Sequence, residues 1–171
     1  MNFFYVTSFI TEKVSRRIIE EEEIEEFKII SDERYKPNNG SYIPSKKIYD
    51  IKKPLKKNLI KNWKSIIGGN KKISKIAENK FDIYVPNTNI EFVRIIISHR
   101  LLKDLYFMEE GFTSYCEFGD IEIKNRGLKK RAKENIVYLG SIEEGEIFKE
   151  GYSGAYGMSE YCFPNWRRKK V

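Results

Sequence analysis

Histidine and cysteine are nearly missing from this sequence: His99 is the one imidazole, and Cys116 and Cys162 are the two thiols, in 171 residues. Neither cysteine belongs to a paired-ligand motif, so the chain has too few soft ligands for a zinc site and no metal is expected. A single imidazole also removes Ser-His-Asp and Cys-His mechanisms, unless His99 is the base. Long apolar runs are absent too, and none approaches the roughly 20 residues that a membrane span needs. The opening Met1-Asn2-Phe3-Phe4-Tyr5-Val6 has no basic stretch ahead of it and no small-residue cleavage site behind it. It reads as a first strand rather than a signal peptide, and the cytoplasm is the expected location. No internal repeat, helix-turn-helix, zinc finger or RNP pattern is evident, so charge alone speaks for nucleic acid, which is not the expected partner.

What is present describes an ordinary globular chain. It is 40% hydrophobic and 33% charged, outside the range of disordered sequences. At this length one domain, or one half of a two-domain enzyme, buries about 70% of the surface of its unfolded chain and needs no staples. The formal net charge is +7, which admits several anionic partners: nucleic acid, a phosphorylated donor, an anionic glycan, or the cytoplasmic face of a membrane. The charges come in blocks. Glu20 to Glu23 with Glu25 and Glu26 are acidic; Lys46-Lys47, Lys52-Lys53, Lys56-Lys57, Lys71-Lys72 and Arg167 to Lys170 are basic.

Residues 2–7 and Phe27-Lys28-Ile29-Ile30 are predicted strands, separated by a helix over about 11–25 in which Val14, Ile18 and Ile19 recur at helical spacing. Residues 34–55 hold Pro37, Pro44 and Pro54 and are predicted to be irregular. Two helical pieces broken at Gly68-Gly69 are expected within 56–78, then a strand at Phe81-Asp82-Ile83-Tyr84-Val85, a buried helix over 89–99 and a strand at Leu105-Tyr106-Phe107-Met108. A basic helix is expected over 126–134, and from about 140 a loop-rich tail of glycines and tyrosines with a basic end. Strands alternating with helices predict an α/β fold, a Rossmann-like parallel sheet flanked by helices, with residues 1–171 as one domain. Ligands bind such sheets beyond the carboxyl ends of the strands. Thr7-Ser8, Pro86-Asn87 and Glu109-Glu110-Gly111 all fall at such ends, so three separate segments are expected to converge on one crevice.

Adjacent glutamates at the mouth of a sheet suit general base chemistry on a hydroxyl nucleophile. On an extended backbone Glu109 and Glu110 point to opposite sides, so one of them faces a given pocket. Gly111 permits a sharp turn or a close ligand approach, and Thr113, Ser114 and Tyr115 place hydroxyls just beyond it. Glu143-Glu144-Gly145 repeats the pattern among polar residues and reads as an exposed turn. His99 reads as a helix-end cation or buried hydrogen-bond donor, Trp63 as core, and Tyr152, Tyr156 and Tyr161 either as glycan-lining or as packing residues.

Tyr106-Phe107-Met108-Glu109-Glu110-Gly111-Phe112-Thr113-Ser114-Tyr115 resembles the acidic-acidic-glycine motif of bacterial sialyltransferases and polysialyltransferases of the GT-B type, which build lipooligosaccharide and capsule. Phe3-Phe4-Tyr5-Val6-Thr7-Ser8 is similar to their first strand and turn. Ala155-Tyr156-Gly157 and Cys162-Phe163-Pro164 look like the close of their amino-terminal half. The resemblance implies one Rossmann-like half of a GT-B enzyme and inverting transfer from CMP-sialic acid to a glycan acceptor, without a metal or other cofactor. It makes Glu110 the base, with Glu109 supporting the turn. From their places at the strand ends and just beyond the turn, Thr7, Ser8, Asn87, Gly111, Thr113, Ser114 and Tyr115 are the expected substrate contacts. The family's second, donor-binding domain carries a His-Pro motif, which this sequence lacks. The chain is therefore expected to be the acceptor-side half, inactive without a separate donor-binding domain or chain. Two other readings stay open: a different nucleotide-sugar transferase, and a basic protein binding anionic glycan or nucleic acid. Peripheral contact of a glycosyltransferase with the anionic inner face of the membrane would explain the same charge.

Overall fold

A computed structural model of the chain describes residues 1–38, 41–49, 59–88, 90–115, 136, 152–163 and 168–170, with the backbone alone for 112, 113 and 168–170. Aromatic and β-branched runs form the strands. β1 is Asn2–Val6, β2 Phe27–Ser31, β3 Tyr42–Pro44, β4 Phe81–Val85, β5 Leu102–Met108, β6 Gly154–Gly157 and β7 Arg168–Lys170. The helices are α1 (Phe9–Glu21), α2 (Ser45–Ile48), α3 (Leu59–Ala77) and α4 (Glu91–Ile97), with one 3₁₀ turn at Phe112–Tyr115. The sheet has seven strands in the order β3-β2-β1-β4-β5-β6-β7, and every neighbouring pair is parallel. This is a Rossmann-like α/β fold. The chain builds outward from β1 through β3, crosses back, and builds the other way from β4, so the direction reverses between β1 and β4.

Both faces of the sheet are covered, as parallel sheets require. Phe3, Tyr5, Ile83, Val85, Leu105 and Phe107 line one face and pack with Tyr49, Ile66, Ile73, Phe92 and Ile96 from α2 to α4 and the residues flanking them. Phe4, Val6, Tyr84, Met108 and Tyr156 line the other face and pack with Val14 and Ile18 of α1. On that second face Phe4 stacks on Tyr84 at 4.3 Å and Tyr84 on Tyr106 at 4.7 Å between ring centroids. This aromatic row ties β1, β4 and β5 together side by side.

Four expectations need correction. The connection over 34–55 is not wholly irregular, since it contains β3 and α2. Pro44 is tolerated as the last residue of an edge strand. The helix over 59–77 runs unbroken through Gly68-Gly69. Gly69 is there for close packing: a Cβ on it would lie 3.1 Å from Cδ2 of Tyr49. The glycine-rich tail contributes a fully buried strand, β6, because small residues let it slot beside β5, and its basic end contributes the edge strand β7. Trp63 is half-buried rather than core, and its Nε1 donates to the carbonyl of Ile136 at 2.8 Å. The basic helix over 126–134, Glu143-Glu144-Gly145 and Cys116 lie outside the described residues.

Candidate functional site

The carboxyl ends of β1, β4 and β5 carry Thr7-Ser8, Pro86-Asn87 and Glu109-Glu110 respectively. In register, Val85 lies beside Phe107, and Phe107 beside Ala155. The residues just past each strand therefore stand at one level, beside the reversal between β1 and β4 where Rossmann-like sheets open a crevice.

The two glutamates divide as an extended backbone dictates. Glu109 turns inward and is 6% exposed. Its backbone N–H continues the sheet by donating to the carbonyl of Tyr156 at 2.9 Å. One carboxylate oxygen accepts from the Tyr115 hydroxyl at 2.8 Å, and the other from the Met158 N–H at 2.8 Å. These are charge-assisted bonds to a carboxylate with little water around it. Burial, reinforced by the Glu109 charge, pushes the Tyr115 phenol up to about 12, so it stays a proton donor at neutral pH. Glu109 thereby fastens the 3₁₀ turn and the segment after β6 to the end of β5.

Glu110 turns the other way, toward β4, and is half-buried. Its Oε2 accepts from Asn87 Nδ2 at 2.6 Å, and its N–H donates to the Ser114 hydroxyl at 3.0 Å. Gly111 follows at φ +124°, a backbone geometry that side chains disfavour. The turn closes as Ser114 N–H donates to the Gly111 carbonyl at 2.9 Å and the Ser114 carbonyl accepts from Phe163 N–H at 2.7 Å. Asn87, Glu109, Glu110, Gly111, Ser114 and Tyr115 thus form one bonded constellation. Thr113 lies in the same turn, and its side chain is outside the described residues.

Thr7 and Ser8 reach the same end of the sheet but bond as a helix cap. Ser8 Oγ accepts from Thr11 N–H at 3.3 Å, and the N–H groups of Thr7 and Ser8 both donate to Thr11 Oγ1 at 2.9 Å. This is a reciprocal capping box at the start of α1. The first turn of α1 nevertheless borders the site, since a Cβ on Gly111 would lie 3.6 Å from Cδ1 of Ile10.

Two features escaped the sequence reading. One is the Met158 N–H, a backbone donor that no side-chain pattern announces. The other is the exposed apolar side chains Phe9, Ile10 and Met158, which join Tyr115 and Tyr161, both named from the sequence, in a rim at this end of the sheet. Of the three tail tyrosines, Tyr156 is buried in the aromatic row, Tyr152 is half-buried and Tyr161 is exposed.

Rival polar centres are occupied by structure. Glu12 on α1 accepts from Arg16 and from the Tyr35 hydroxyl at 2.6 Å. Burial opposes its charge, but these bonds outweigh it and hold the carboxyl below its usual range. Asp32, just after β2, accepts from Tyr5 and Arg34. His99 sits at the opposite end of the sheet. Its Nδ1 accepts from Leu101 N–H at 3.2 Å, which places the proton on Nε2 facing the Asn70 carbonyl at 3.2 Å. Among the described residues no cluster of three or more His, Cys, Asp or Glu could hold a metal ion, and no helix is long and apolar enough to cross a membrane. No protein-family model, curated protein or solved structure matches the chain.

Proposed function

We propose that this chain is the acceptor-side half of a GT-B glycosyltransferase of the sialyltransferase kind, with Glu110 as general base. The observation that carries the reading is the division of labour between the two glutamates: Glu109 is buried under two hydrogen bonds, while Glu110 is half-buried at the strand ends, held by Asn87. A base must be fixed in direction yet reachable by the hydroxyl whose proton it takes. The Asn87 amide fixes the direction of Glu110 through its 2.6 Å bond to Oε2. The exposed tyrosines of the rim suit the apolar face of a pyranose ring.

In the reaction the acceptor oxygen attacks the anomeric carbon of the donor from the side opposite the nucleotide. The new C–O bond forms as the bond to the phosphate oxygen breaks; CMP leaves with that electron pair, and the acceptor proton passes to Glu110. The configuration at the anomeric carbon inverts. In the resembled family a second domain holds the donor, and a separate domain or chain would do so here.

The test is transfer from CMP-sialic acid to an oligosaccharide acceptor, with a donor-binding partner supplied, for the wild type and Glu110→Gln. The variant is expected to lose about a hundred- to ten-thousandfold in rate while still binding acceptor. Full activity in that variant would remove Glu110 from the role of base. Transfer from a different nucleotide sugar, still lost in Glu110→Gln, would keep the base and replace the donor.

A further inference from the structure

We infer that the outer face of α3 is a docking surface for an anionic lipid bilayer. The sequence of this helix, from Leu59 to Ala77, contains five lysines and no acidic residue. Its inner face is set by Asn62, Ile66, Gly69, Ile73 and Ala77, which are buried on the sheet. Directly opposite, Ile60, Lys64, Ile67, Lys71 and Lys75 follow one another at helical spacing along a single outward stripe. Ile60 is 69% exposed and Ile67 is 49% exposed. Trp63 lies beside them and holds a third exposed isoleucine, Ile136, through its Nε1 bond to that residue's carbonyl.

Exposed β-branched apolar residues on a helix cost solubility, and scattered singly they mean little. Here Ile60 and Ile67 share one stripe, interleaved with lysines and with Trp63 beside them. None of Lys61, Lys64, Lys71 and Lys75 is paired with an acid among the described residues. Lys47 on α2 extends the positive surface, since Lys72 Nζ donates to the Lys47 carbonyl at 2.7 Å. Lysines alone would fit any polyanion. The isoleucines select lipid, because their side chains enter the acyl boundary while the lysine stems reach up to the headgroups. A nucleic-acid backbone offers no such apolar layer.

Orientation adds a consequence. The C-terminal end of α3 lies at the amino ends of the strands: Lys28, early in β2, donates to the Ile76 carbonyl at 2.8 Å, and Ser74 bonds His99 ahead of β5. The Leu59 end therefore points toward the carboxyl ends, where Glu110 stands. Docking through Ile60 and Trp63 sets the crevice near the bilayer. This surface does not depend on the catalytic reading of Glu110.

Co-sedimentation with phosphatidylcholine vesicles, with and without phosphatidylserine, tests the inference on the full chain. Binding is expected only with phosphatidylserine and should weaken with salt. Changing Lys64, Lys71 and Lys75 together to Gln should lower partitioning about a hundredfold. Changing Ile60 and Ile67 to Ser should lower it about tenfold, with the loss persisting when salt is raised. A charge-matched control, Lys13, Lys36 and Arg100 to Gln, should keep most of the binding. Four outcomes would overturn the inference: no vesicle binding, equal binding to neutral vesicles, an equal loss in the control, or insensitivity to the isoleucine change. If single-stranded DNA is bound instead, through the lysines but not the isoleucines, the face is a nucleic-acid surface.

Discussion

Glu109 and Glu110 are neighbours with the same side chain, and only the pleat separates their tasks. The inward one is a structural clamp, so replacing it should be felt in stability. Glu109→Gln keeps the shape but removes the charge from two hydrogen bonds, and about 1.5–3 kcal/mol of unfolding free energy should be lost in urea titration. Glu110→Gln, half-exposed and still able to bond Asn87, should change stability by less than about 1 kcal/mol. Equal losses in the two variants would refute the division. Gly157 is a second residue whose identity has a single physical cause. Its backbone is not left-handed, but a Cβ there would stand 2.5 Å from Cβ of the buried Cys162. Gly157→Ala should therefore cost about 1–3 kcal/mol through overpacking. Cys162→Ser should not relieve it, because the Cβ remains. Of these residues the sequence announced the glutamates, since an apolar strand led into them. It could not announce the Cys162 contact, which joins the end of β6 to the bend after it, nor the Met158 N–H, which carries no side-chain signature.

Among the elements, α3 shows why glycine misleads a local reading. Two adjacent glycines weaken a helix by roughly 1 kcal/mol each, so a break was the natural expectation. Tertiary packing overrides it: Gly69 lets the helix come down onto Tyr49, while Gly68 faces open space with nothing within 4 Å of its would-be Cβ. The two positions should respond differently. Gly68→Ala should raise stability by about 0.8–1 kcal/mol, the difference in helix propensity. Gly69→Ala should fall below it, because the Tyr49 ring has to move; thermal melts of the pair check this, and identical shifts would deny the contact. Strands β1, β2, β4 and β5 were legible because each is an apolar run bounded by polar or turn residues. β3 and β6 were not. A three-residue edge strand ending in Pro44, and a Gly-Ala-Tyr-Gly strand with one large side chain, gain their order from the neighbours they pair with. Ser8 caps α1 through the bond its Oγ accepts from Thr11 N–H, so Ser8→Ala should cost about 1 kcal/mol.

At the scale of the whole molecule, the order of strands is what assembles the site, and alternation alone cannot supply it. Parallel pairing followed from helices between strands, but the reversal between β1 and β4 depends on a long crossover whose direction no local pattern sets. The same organisation separates the two ends of the sheet chemically. The carboxyl end holds the glutamates, while the amino end holds His99, the chain's one histidine. Burial chiefly, with Arg100 adding to it, holds the His99 imidazole below its ordinary value, against the bond to the Asn70 carbonyl. The unfolded chain therefore binds this proton more readily than the folded one. The His99 contribution is complete above the unfolded value of 6.5 and is lost as pH falls through that value toward the lower folded one. Glu12, Asp32 and Asp104 have lowered folded values, so their contributions persist to lower pH and fail below the carboxylate range. Asp82 opposes them: burial raises its folded value, so it favours the folded state below that range. Acid unfolding should thus begin with a shallow loss below about pH 6.5 and steepen below about pH 4. Guanidinium titrations across that range should show both stages in the wild type. His99→Gln should be less stable throughout and should lack the first stage, because no other imidazole exists to supply it. A first stage that survives the substitution would place its cause elsewhere.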